Sequence, residues 1–348
     1  MVKKRMNLEE LENIDSKKMF QVYDKWPEIA RDSFKEKFQK FDVKGIDHIV
    51  FAGMGGSGTL GDVISAILSK KDIHVTNVKG YLLPKTVDSK TLAIVTSVSG
   101  NTIETLDVLK NVKKTPAKVI GFSAGGKMEN VCKKNNIYFQ KIPMIHSPRA
   151  SFPNFLFSIL NVLEEILPIN QNEVNESILA LKNTKKNISS ENLNEQNKSL
   201  ELAKFITEFA YIYHPAGLKP AAIRYKNSLQ ENAKIHALTE DVIESCHNGI
   251  VAWGESSNAK PILIQGKNDH EKTIERWQLL KEFFQTKNIE YREVNSIEGG
   301  ILSKISNLIY LLDYSTIYTS VLRNIDPSPV EPIDFIKKQL ERKKLIKL

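Results

Sequence analysis

Cysteine is scarce: the two in 348 residues, Cys132 and Cys246, lie far apart and outside any C-x-x-C arrangement. A disulfide framework and a cysteine-type structural zinc site are therefore not expected, and a reducing cytoplasm is the compartment that fits. Long hydrophobic runs are absent too, since no stretch of about 18 apolar residues occurs. The N-terminus MVKKRMNLEELENID is charged but lacks the apolar segment of a signal peptide. Neither export nor membrane spanning is expected. The charge imbalance is modest, with 49 Lys and Arg against 41 Asp and Glu, a formal +8. That excess suits a phosphorylated substrate or a polyanion. The basic residues are dispersed and no recognition-helix domain is appended, which argues against nucleic acid. What is present, 41% hydrophobic and 26% charged residues, describes a globular chain long enough for two domains of about 150 residues each.

The apolar pattern changes character along the chain. Residues 1–43 read as helical, with Asp15 a candidate N-cap for SKKMFQVYDKW and Pro27 opening a second amphipathic helix through Phe41. A β-α alternation follows. Strands are expected at 47–53, 74–80, 91–98, 117–124 and 137–143, with helices at 58–69 and from about Thr102 and Gly126. Near-continuous apolar strands separated by helices predict a doubly wound parallel sheet covered on both faces, closed by the helix FPNFLFSILNVLEEIL. Residues 168–200, rich in Asn, Ser, Glu and Lys, read as a linker region in which ESILALKNTKK has helical character. A second, shorter alternation has strands at 210–217, 261–266 and 290–296 and helices at 219–237, 270–287 and 301–323. A last helix starts at Pro332. The expected division is a first unit over 1–167, the linker over 168–200 and a second unit over 201–348.

Two loops carry chemical information. Strand 47–53 runs into Gly53-Met54-Gly55-Gly56-Ser57-Gly58, a G-x-G-x-x-G turn into a helix. Glycines let the backbone approach an anion, and the helix N-terminus supplies free N–H groups. A dinucleotide would also need an acid at the end of the next strand, where Lys79 and Gly80 stand instead; only a 2′-phosphate cofactor could use Lys79. The third strand ends in Thr96-Ser97-Val98-Ser99-Gly100-Asn101-Thr102. Three hydroxyls around a glycine turn at a helix start can converge with the first-turn amides on one phosphate. An ordinary Ser/Thr cap would need one of them.

These two loops resemble the ligand loops of the sugar isomerase (SIS) domain, which binds phosphosugars in a flavodoxin-like sheet. The segments NIDSKKMFQVYDKWPE, HSPRASF, RYKNSLQENAK, ESCHNGIVAW and DPSPVEPIDFIKKQL extend the likeness from about residue 13 to 340. They resemble the archaeal and bacterial bifunctional phosphoglucose/phosphomannose isomerases. The resemblance implies two SIS-type domains with added terminal helices, a homodimer, a sugar 6-phosphate substrate, and neither metal nor cofactor. It also implies roles. Ser97, Ser99 and Thr102 would hold the phosphate, and Gly55, Gly56 and Ser57 would contact the sugar. Arg149 would stand beside the reacting carbons, with Glu231 as the base. His247 would open the ring from the neighbouring subunit, and Lys337, next to Lys338, would assist at the ring oxygen. Three departures stand out. Val98 replaces a common Tyr, ASF follows Arg149 where small residues and glycine are usual, and Gly249 replaces the Glu that usually follows the histidine by two.

The residue types suit that chemistry on their own terms. Moving a proton between adjacent carbons needs one carboxylate that serves as base and then as acid, a place for Glu231. A permanent cation stabilises the enediolate, a place for Arg149, and ring opening calls for a group titrating near neutrality, such as His247. His214, His236 and His270 are assigned to packing or surface. Cys246 is not expected to act as a nucleophile, because adjacent residues seldom point together with His247. A sugar-phosphate sensor that keeps the loops without catalysis is the rival expectation.

Overall fold

The computed structural model describes residues 6–41 and 43–346, so residues 1–5, 42 and 347–348 of the expected terminal helices lie outside the described part. Asn7 opens α1 (Leu8–Ile14) with a capping box, accepting from Glu10 N at 2.8 Å while Glu10 accepts from Asn7 N. Helix α2 (Met19–Asp24) starts later than the sequence suggests. Lys18 takes a left-handed conformation, and buried Asp15 accepts from Phe20 N at 2.8 Å across that turn. Helix α3 (Trp26–Lys35) ends before Phe41, because the Asn161 amide takes the carbonyls of Phe34 and Glu36 and Phe41 N bonds to Val162 O. A tertiary contact ends the helix there.

The first sheet joins β1 (His48–Ala52), β2 (His74–Val78), β3 (Thr91–Thr96), β4 (Lys118–Ser123) and β5 (Tyr138–Lys141) in the order β2-β1-β3-β4-β5, all parallel. Strands β1 and β3 are buried throughout, as their apolar runs require. Helices α4 (Gly55–Leu68), α5 (Ile103–Val112) and α6 (Gly126–Lys134) link the strands, and α7 (Phe152–Val162) is buried along its whole length. The strand order reverses between β1 and β3, and the crevice at such a switch point is where open α/β sheets bind ligands. Both glycine-containing loops leave the carboxyl ends of those two strands.

Residues 168–200 contain α8 (Gln171–Ile188), opened by an Asn170/Glu173 capping box, and the start of α9 (Lys198–Phe205). The second sheet follows, with β6 (Phe209–His214), α10 (Lys219–Ser228), β7 (His236–Asp241), α11 (Val242–Ser245), β8 (Ala259–Gln265), α12 (Glu271–Thr286) and β9 (Arg292–Asn295). It is parallel in the order β7-β6-β8-β9. Here the sequence reading of one helix over 219–237 is wrong. The helix passes into a π-turn at Leu229–Ala233 and stops at Lys234 (φ 56°), and His236–Asp241 forms an edge strand. HALTED carries no apolar run because only one of its faces is covered.

Helix α13 (Ile301–Leu322) is buried from Ser303 to Val321 except for Lys304 and packs against α8, α9 and α10. One hydrophobic core runs through residues of both sheets and this helix. Helix α14 (Glu331–Ile346) ends the described chain. Among the described residues no helix is long and apolar enough to cross a membrane. The doubly wound, two-sheet class expected from the sequence is the observed one.

Candidate active site

The loop after β1 requires glycine for two different reasons, backbone conformation at Gly55 and close backbone approach at Gly58. Gly55 has φ +53°, and a Cβ on Gly58 would come within 2.8 Å of Gly53 O. Ser57 is buried, and its Oγ accepts from Val98 N at 3.3 Å, tying this loop to the one after β3. In that second loop Ser97 Oγ lies 2.9 Å from Thr102 Oγ1 and accepts from Gly100 N, while Ser99 Oγ accepts from Asn101 N. Gly100 is required, since a Cβ there would overlap Gly125 O. Thr102 is the N-cap of α5 yet its side chain makes no capping bond. The first-turn amides of α5 therefore keep their capacity to bind an anion. The Val98 side chain is buried in the core.

Arg149, on the segment between β5 and α7, is buried, and each of its three nitrogens has a partner. It donates through Nε to Asn232 Oδ1 (2.6 Å), through one terminal nitrogen to Pro327 O (2.7 Å) and Ser328 O (3.0 Å), and through the other to Glu231 Oε2 (3.4 Å). Glu231 and Asn232 both sit in the π-turn, an insertion that is frequent at functional sites. The Glu231 side chain is 27% exposed against 6% for Arg149, so the carboxylate faces the solvent side of a buried cation. It opens on a cavity of about 600 Å³ that Gly55, Lys234, His236, Pro329 and Val330 also line. His236, assigned from sequence to packing or surface, thus belongs to the cavity wall.

A second arginine was not anticipated. Arg224 donates through Nε and one terminal nitrogen to Asp313 Oδ2 at 2.8 and 2.7 Å, and the same nitrogen reaches Arg149 O at 2.7 Å. Ser228 Oγ completes the acid's partners at 2.7 Å. Burial drives the Asp313 carboxyl above the usual range, and Arg224 opposes that shift. The place a Cβ would take on Gly56 is 3.1 Å from the free terminal nitrogen of Arg224, so the guanidinium underlies the glycine loop. Asp313 is the one charged residue between Ile305 and Leu322. A lone acid in an apolar helix was the available signal.

Other expected residues stand outside this cluster. His247, exposed after α11, does not line the cavity. Lys337 does not line it either; its side chain is 66% exposed and lies 3.9 Å from Asp334. Lys338 is exposed as well. His214 is buried with Nδ1 near Pro215 O, and His270 caps α12 by accepting from Lys272 N. Burial pushes the Cys246 thiol up, away from nucleophile character. Lys79 pairs with Asp62, which occupies the cation a 2′-phosphate would need. Among the described residues no three His, Cys, Asp or Glu side chains gather as a metal site.

Gly249 has a structural counterpart. A Cβ there would overlap Glu240 Oε2, and Tyr211 OH donates to that same oxygen at 2.6 Å. The Glu240 carboxylate already occupies the space that a side chain at 249 would enter. Gly249→Glu should therefore lower any activity that depends on this loop, and lower the melting temperature, because two carboxylates would compete for one place. Thermal denaturation beside an activity assay checks this, and a gain in both would contradict it.

Residues 195–340 match the family described as bacterial phospho-glucose isomerase C-terminal SIS domain. The chain is 30% identical to the bifunctional phosphoglucose/phosphomannose isomerase of Caldicellulosiruptor bescii, covering 85% of this chain and 90% of that one. The protein of the same name from Thermoplasma volcanium is also 30% identical, over 87% and 95% of the two chains. Among solved structures, a hypothetical protein of Thermus thermophilus shares the fold with a TM-score of 0.70 at 14% identity, covering 97% of this chain and 94% of that one.

Proposed function

Because this chain belongs to the bifunctional phosphoglucose/phosphomannose isomerase family, we propose that it interconverts glucose 6-phosphate and mannose 6-phosphate with fructose 6-phosphate. The observation that carries this reading is the Glu231 carboxylate set against the Arg149 guanidinium at a cavity bounded by Gly55. In this mechanism the phosphate sits on Ser97, Ser99, Thr102 and the first-turn amides of α5. Gly55, Gly56 and Ser57 contact the sugar. Binding energy from the remote phosphate holds C1 and C2 beside Glu231. Glu231 takes the proton from one carbon of the open-chain sugar and returns it to the other through a cis-enediol. Arg149 stabilises the oxygen charge that develops between those steps, without reorganising, since its other nitrogens are already held.

Ring opening falls to His247 from a second copy of the chain, with Lys337 assisting at the ring oxygen. Apolar exposure around His247 supports an interface there. Leu238 on the unpaired edge of β7, Ile243 and Val251 are 53%, 37% and 75% exposed, a patch that a homodimer would cover. A cytoplasmic setting suits the two free cysteines.

The test is to incubate the purified protein with each aldose phosphate separately, with chelator present and no metal added, and to measure fructose 6-phosphate. Product from both substrates supports the reading. Binding without product from either would replace it with a non-catalytic sugar-phosphate sensor.

A further inference from the structure

Residues 326–329, Asp-Pro-Ser-Pro, cross the site between α13 and α14 and contribute to the cavity wall at Pro329. Two of these four residues are prolines without an N–H, so the segment presents carbonyl oxygens with few donors to offset them. All four carbonyls are taken by two cations. Arg149 donates to Pro327 O and Ser328 O. The Lys234 ammonium reaches Asp326 O (3.3 Å), Pro327 O (3.3 Å) and Pro329 O (2.9 Å), and also Glu231 O (2.7 Å) and Asn232 O (3.4 Å) on its own π-turn. Pro327 O is thus shared between the two cations. Lys234 is an exposed residue whose ammonium lies over these carbonyls; partial desolvation and the nearby Arg149 charge hold it below its ordinary range, while Asp326 and Glu231 oppose that shift.

We propose that Lys234 is a positioning residue for the proposed isomerisation: its ammonium clasps residues 326–329 against Arg149 and ties that segment to the turn carrying Glu231. The clasp fixes three things together: the end of the π-turn, the far wall of the cavity and the guanidinium that faces the carboxylate. The backbone supports the assignment. Lys234 has φ 56°, a conformation that disfavours a side-chain-bearing residue unless its surroundings over-determine it. Five carbonyl contacts supply that determination. Helix α14 begins two residues after the clasped segment, and with Phe335 and Ile336 on it 59% and 56% exposed, the proposal makes the clasp the anchor of its first turns.

This inference rests on the isomerase reading for its catalytic arm and on geometry alone for its structural arm. Lys234→Gly removes the ammonium and relaxes the left-handed backbone, and thermal denaturation of the variant separates loss of folding from loss of turnover. Lys234→Arg keeps a cation at the same place. In Lys234→Gly, kcat is expected to fall at least about tenfold with KM changed less than about threefold, because the phosphate loops are untouched. Amide exchange over the first turns of α14 should rise at least about tenfold, and Lys234→Arg should restore much of both. A kcat within about twofold of the parent overturns the proposal, as does a fall in kcat with α14 exchange unchanged. Should the parent protein form no fructose 6-phosphate, the isomerase reading has failed and exchange alone judges the clasp: a rise supports it, and no change overturns it.

Discussion

Glu231→Gln should lose fructose 6-phosphate formation by a factor of about 10² to 10⁴ in kcat, the range general-base groups contribute. The amide is close to isosteric with the acid. Its oxygen can still accept from Arg149, so the buried guanidinium keeps its contact at the 3.4 Å position and the fold is undisturbed. What disappears is the only carboxylate the structure places at both the cavity and Arg149 among the described residues. Binding should persist, because the phosphate loops are held by their own bonds: Ser57 to Val98, and Ser97 to Gly100 and Thr102. Thermal shift with glucose 6-phosphate, beside the product assay, separates the two effects. Turnover within tenfold of the parent would remove Glu231 from the mechanism and leave Arg149 facing a merely structural partner.

The parts legible in the sequence are those decided by local pattern. Strands β1, β3 and β4 announce themselves as apolar runs because both faces of their sheet are covered, and the two loops announce themselves through glycines that the turns require. The unread parts were settled by distant residues. Helix α3 stops at Lys35 because Asn161, more than 120 positions away, takes its last carbonyls. Strand β7 hides in a polar hexapeptide because it is an edge. Resemblance pointed to Glu231 and Arg149 together, yet what fixes them, Lys234, Asn232 and the carbonyls of residues 326–329, leaves no periodicity to read. His236 reaches the cavity only because the helix ends at Lys234 and the chain turns into β7.

Removing either member of the Arg224–Asp313 pair should produce the largest loss of stability. Both side chains are essentially inaccessible, at 2% and 0% exposure. Asp313→Ala leaves a buried guanidinium whose remaining acceptor is Arg149 O, and breaking such a pair costs about 3–5 kcal/mol. For a chain of this size that lowers the melting temperature by about 4–7 °C. Arg224→Met strands the carboxylate with Ser228 alone and should cost a similar amount. The double variant Arg224→Met/Asp313→Leu removes both charges and fills the space, so it should recover much of the loss, as apolar replacements of buried pairs often do. Denaturation of all three proteins measures the coupling; singles within about 1 kcal/mol of the parent would show the pair to be energetically idle. Stability and catalysis should then part company. The pair grips the carbonyl of Arg149 and lies beneath Gly56, positions that apolar side chains cannot reproduce. The double variant should therefore fold nearly as well as the parent and remain slow. A double variant both stable and fully active would show that Arg149 and the glycine loop find their places without help from Arg224.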